Sequence, residues 1–106
     1  MNYVQNTAEQ CEIKSSEWIK LRGAEMAMEL GCYPKSLYNN SRKDNIPLIR
    51  GVMMYYLRYS CGYTLTEASK IFNLHSASCY YWCEKIRGLE SIGDKLTIKL
   101  LKYIEP

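Results

Sequence analysis

The stretch that most constrains this chain is "TLTEASKIFNLHSASCYYWCEKIRG", residues 64–88. Thr64 followed three residues later by Glu67 is a capping box, in which each side chain can bond the other residue's backbone N–H at a helix start. Leu65, Ala68 and Ile71 then recur at helical spacing. Asn73 suits the left-handed conformation in which a helix ends. A second helical run follows at once and meets Gly88, the expected stop. The pattern predicts a short helix, a turn and a longer helix over 64–87. That is a helix-turn-helix, whose second helix can enter a DNA major groove.

The rest of the chain also reads as helix. In "SSEWIKLRGAEMAMELG", Trp18, Leu21, Ala24 and Met28 form an apolar stripe flanked by Ile19 and Met26. Ser15 or Ser16 can cap that helix and Gly31 can stop it, which places it over about 16–30. Residues 1–14 are polar without a clear period and read as an arm ahead of a domain over 15–106. Pro34 can open one short turn with Leu37 and Tyr38 pointing inward, before Asn39, Asn40 and Ser41 break it. Asp44 or Asn45 can cap the next helix, with Pro47 in its first turn, where a missing N–H costs nothing. Leu48, Val52, Tyr55 or Tyr56, and Tyr59 are expected on its apolar side, and Arg50 and Arg58 away from the core. From Asp94 onward, Leu96, Ile98, Leu100, Leu101 and Ile104 suit a closing amphipathic helix with lysines outside. No strand pair or repeat is visible. The expected fold is a small all-α domain of about five to six helices around one modest core.

Charge and motif content narrow the function. The 106 residues carry a net charge of +3, which permits a nucleic-acid partner without demanding one. Five cysteines at irregular spacing, with no signal-peptide pattern, favour a reduced, cytoplasmic setting. No apolar run approaches the roughly 18 to 20 residues that span a bilayer. There is one histidine, and no G-x-S-x-G, paired catalytic carboxylates, nucleotide loop or other cofactor loop, so neither an enzyme nor a cofactor is expected. His75, Cys79 and Cys83 would line one helical face. Their outer pair would be about 12 Å apart at 1.5 Å rise per residue, too far to share a zinc ion with ligand bonds of about 2.0–2.3 Å. No metal site is expected, and Cys79 and Cys83 read as buried thiols. Ten tyrosines against one phenylalanine leave polar tips near the surface, where a protein partner could meet them. Tyr80, Tyr81 and Trp82 cannot all face the core from one helix; Trp82 is the one expected inside.

The segment "SRKDNIPLIRGVMMYYLRYSCGYTLTEASKIFNLHSASCYYWCEKI" resembles the C-terminal DNA-binding domain of the bacterial replication initiator DnaA. The resemblance covers roughly residues 20–104. The family's arginine, methionine-tyrosine, arginine pattern would be Arg50, Met54-Tyr55 and Arg58. Its "SL..IG..F" helix is similar to "TLTEASKIF", with Ser69 in place of the glycine. Its basic pair would be Arg42-Lys43, and its basic residue before isoleucine would be Lys85-Ile86. Its "RDH[SA]TV" signature is replaced: Leu74, His75 and Ser76 stand at the first three positions, then Ala77, Ser78 and Cys79. The resemblance implies a Trp-repressor-like helix-turn-helix that binds double-stranded DNA. It implies that Arg50 reaches a minor groove or the flanking backbone, and that Lys70 and Lys85 meet phosphates.

The residues at the start of the second helix carry chemistry of their own. His75, Ser76, Ala77 and Ser78 are short or small and would let a helix N-terminus approach DNA closely. Backbone N–H groups there can hold a phosphate, and serines can bond base edges. Tyr81 could touch the DNA backbone. The expected interface is therefore Arg42, Lys43, Arg50, Lys70, His75, Ser76, Ala77, Ser78, Tyr81 and Lys85. Arg58 and Arg87 complete the basic residues of this half, with Arg58 read as structural. The alternative is a helical protein-interaction module that kept the scaffold and lost sequence-specific DNA binding.

Overall fold

A computed structural model describes the backbone of residues 3–105 and the side chains of residues 16–105. The elements among the described residues are all helices: α1 (Tyr3–Glu29), a 3-10 turn (Pro34–Tyr38), α2 (Ile46–Ser60), α3 (Leu65–Lys70), α4 (Ser76–Ser91) and α5 (Lys95–Leu101). The all-α expectation holds. The first helix begins well before the expected start at residue 16, and Ser15 and Ser16 lie inside it. Residues 3–15 contain neither glycine nor proline to interrupt it. The side chains of the expected arm, residues 1–14, lie outside the described residues.

α2 is the central element, packed against α1, α3, α4, α5 and the 3-10 turn. A helix enclosed in this way buries most of its circumference, so a single apolar stripe is the wrong template for it. Ile46 and every residue from Ile49 to Met54 are buried, as is Leu57, whereas Leu48, Tyr55 and Tyr56 are half-buried and Tyr59 is exposed. Arg50, expected away from the core, is 5% exposed. Its Nε donates to the Leu37 carbonyl at 2.8 Å, and its Nη2 donates to the carbonyls of Ser36, at 3.1 Å, and Ser41. One guanidinium thus ties the 3-10 turn and the following loop to α2. Burial, then the neighbouring positive charge of Arg42, lowers the Arg50 pKa from the usual arginine range.

The stripe expected on α1 is also rotated. Ile19, Gly23, Met26 and Ala27 face the core, while Leu21 and Met28 are 61% and 69% exposed. Gly23 sits at this contact: a Cβ there would lie 2.5 Å from the Met53 sulfur, so a larger residue would require the end of the Met53 side chain to move. Gly51 sits at the contact with α4, where a Cβ would lie 2.6 Å from the Trp82 ring.

The helix ends follow their local chemistry. The Thr64–Glu67 capping box is formed in both directions, at 3.1 and 2.9 Å. α1, α3 and α4 close with paired bonds of the Schellman type, through Gly31, Asn73 and Gly93, each at positive φ. Gly88 does not end α4, which runs through it to Ser91. Leu37 is buried as expected, whereas Tyr38 stays 37% exposed and stacks on Phe72. At the other end of the chain, Leu100, Leu101 and Ile104 are buried, with Lys95, Lys99 and Lys102 outside.

Candidate nucleic-acid interface

α3 and α4 pack directly on each other, and residues 71–75 join them. The turn is defined by Asn73 at φ 55°, from which the chain enters α4 through His75. His75 is the helix N-cap: its Nδ1 accepts the Ala77 N–H at 3.3 Å. Ser76 and Ser78 lie in the first turn and are half-buried. Ser69 is 1% exposed, and its hydroxyl donates to the carbonyls of Leu65 and Thr66 at 2.8 and 3.1 Å. A residue with a side chain is therefore accommodated there without an unpaired hydroxyl.

A shallow cleft of about 420 Å³ lies where α3 meets the start of α4, lined by residues that include Thr66, Lys70, Asn73, His75 and Ser76. It brings together three of the expected interface residues: Lys70, His75 and Ser76. Ala77 and Tyr81 are exposed on α4. Lys85 donates to the Tyr81 hydroxyl at 3.3 Å, and its ammonium lies 5.5 Å from the centre of the Tyr81 ring and 5.2 Å from that of Trp82. Arg42 and Lys43 are exposed on the loop ahead of α2, and neither lines the cleft. Arg50 is not free to reach DNA: it is 5% exposed, and its Nε and Nη2 donate to three backbone carbonyls. Arg58 donates to the Tyr63 carbonyl at 3.0 Å, in line with its structural reading.

The outward strip of α4 consists of Ala77, Tyr80, Tyr81, Glu84 and Gly88, all exposed. Of these, Tyr80 was read only as an aromatic that need not face the core, and Glu84 was not singled out from the sequence. The signal was their spacing: with Ala77 and Gly88 they recur at i, i+3, i+7 and i+11, a face that contains none of the core residues. Trp82 is half-buried against Gly51, with the Tyr81 ring edge-on to it.

Cys79 and Cys83 are buried, as expected, with their sulfurs 3.8 Å apart. The hydrogen bond to Cys79, followed by burial, pushes the Cys83 thiol up. Among the described residues, no group of three or more histidine, cysteine or carboxylate side chains could hold a metal ion, and no helix is long and apolar enough to cross a membrane. Comparison with protein-family models, curated proteins and solved structures gave no significant match.

Proposed function

We propose that this protein binds double-stranded DNA, with α4 in the major groove, and serves an accessory or regulatory role in replication or transcription. The observation that carries this reading is the α3–turn–α4 unit. It presents one exposed strip of α4, with Lys70 at the N-terminal end of that helix and Lys85 along its side. A helix held in this way can enter a groove about 12 Å wide, and cations beside it release counterions from the DNA. Resemblance to the DnaA domain supports the same placement. On this reading Arg50 is part of the scaffold, and Lys70, His75, Ser76, Ala77, Ser78, Tyr81 and Lys85 form the interface, with Arg42 and Lys43 as outlying contacts.

One observation favours the alternative, a helical protein-interaction module: Tyr80 and Tyr81 are 59% and 55% exposed around Glu84. Exposed aromatic rings suit a protein interface, and a carboxylate among them repels a phosphate backbone. Titration of the folded protein with random duplex at two salt concentrations separates the two. DNA binding should weaken steeply as salt rises. Lys85→Ala should weaken it on all sequences and lower the salt slope by about one. No duplex binding at about 50 mM salt would end the DNA reading.

A further inference from the structure

We infer that Arg87, held over the ring of Tyr59, is a second phosphate-binding residue, on the opposite side of α4 from Lys85. This inference rests on the DNA reading above and assigns to the interface two residues that the sequence did not place there.

The argument begins with helical geometry. Lys85 and Arg87 are two positions apart, and at about 100° per residue such side chains leave a helix on opposite sides. Their contacts agree. Lys85 lies over Tyr81 and Trp82, and Trp82 packs on Gly51 in the first half of α2. Arg87 lies 5.0 Å from the ring centre of Tyr59, near the end of α2. The exposed strip of Ala77, Tyr80, Tyr81, Glu84 and Gly88 runs between them. A helix lying in a major groove has a phosphate backbone along each side. Two cations flanking one exposed strip match that arrangement.

Most surface arginines are solvated and mobile. Arg87 is anchored on an aromatic face and so starts closer to its bound position, which reduces the ordering cost of contact. Tyr59 is itself fixed by Tyr55, 5.0 Å away between ring centres, and by Arg58, whose guanidinium lies 6.0 Å from the same ring. Two carboxylates share this surface. Glu84 lies 3.6 Å from Arg87, and Glu90 accepts from the Tyr55 hydroxyl at 3.5 Å. The Glu84–Arg87 pair is long, and both of its side chains are about half exposed. Such a pair holds its cation weakly and yields it to a phosphate.

The test is duplex titration across salt concentrations with the full chain, at a temperature where every variant is folded. Arg87→Gln should reduce the salt slope by about one and weaken binding roughly fivefold to tenfold at 0.1 M salt, as Lys85→Gln does. Tyr59→Leu keeps the charge, so the slope should stay while affinity falls roughly twofold to fivefold. Tyr59→Phe, which keeps the ring, should bind like the wild type. If Lys85→Gln weakens binding while Arg87→Gln changes neither slope nor affinity, the second contact is overturned and the DNA reading survives. If Tyr59→Phe binds as weakly as Tyr59→Leu, the positioning role of the ring is overturned. If the wild type binds no duplex at all, both readings fail together.

Discussion

Arg50 holds three backbone carbonyls with one guanidinium, so its replacement leaves all three without that donor. Arg50→Gln should lower the unfolding free energy by about 3 kcal/mol, because a short amide cannot span the 3-10 turn and the loop. Arg50→Lys should rescue little, since an ammonium lacks the planar fork. Urea titration decides this, and a glutamine variant with the wild-type midpoint would rule it out. Gly51 and Gly88 form a matched pair. Alanine at Gly51 drives its Cβ into the Trp82 ring and should cost about 1–3 kcal/mol. Alanine at Gly88 meets nothing within 4 Å and should stabilise α4 by up to about 1 kcal/mol. Both roles were hidden in the sequence for the same reason. An arginine between apolar residues and a glycine inside a helix look alike whether they face solvent or a neighbouring helix.

α3 is the element most dependent on its ends. Leu65–Lys70 is too short to persist as an isolated helix. The capping box at its start and the Schellman bonds through Asn73 at its end therefore contribute a large part of its order. Thr64→Ala should cost about 1 kcal/mol. It should also raise amide hydrogen exchange in α3 before it affects α2; equal exchange in the variant and wild type would argue against this. The same cap introduces a pH dependence. Hydrogen bonds from the Thr64 backbone and then its side chain hold Glu67 below the usual carboxylate range. Those from the Thr97 side chain and then its backbone do the same for Asp94. A lowered folded-state pKa means that the contribution is present above the ordinary carboxylate range, near pH 4, and is lost as pH falls through the lowered values. Stability measured from pH 6 down to pH 2 should therefore fall at the acid end, and Glu67→Gln should flatten part of that fall. The capping box and the αL asparagine were legible in the sequence because each is a local device, complete within a few residues. The end of α4 was misplaced for a related reason: Gly88 and Gly93 are both plausible stops, and the packed face of α4 carries the helix past the first.

At the scale of the whole molecule, the core is divided among helices that all meet α2. Cys79 and Cys83 lie inside that core, while Cys32 and Cys61 are half-buried. Under native conditions a thiol-alkylating reagent should modify Cys32 and Cys61 before Cys79 and Cys83. Cys83 should react only at the rate of global unfolding, because burial and its bond to Cys79 keep it protonated. Peptide mass spectrometry of a labelling time course reads this, and early labelling of Cys83 would contradict the packing.

The sequence alone determined the helical class, the positions of most helix starts, the α3–turn–α4 unit and the burial of the paired thiols. These follow from periodicity and capping, which act over one or two turns of chain. The tertiary structure decided which face of α1 is buried, that α2 is enclosed, and that Arg50 belongs to the scaffold. It also decided that Lys85 and Arg87 rest on aromatic rings at opposite sides of α4. Each of these depends on contacts between residues far apart in the chain, such as Gly23 against Met53, Gly51 against Trp82 and Arg50 against the Leu37 carbonyl.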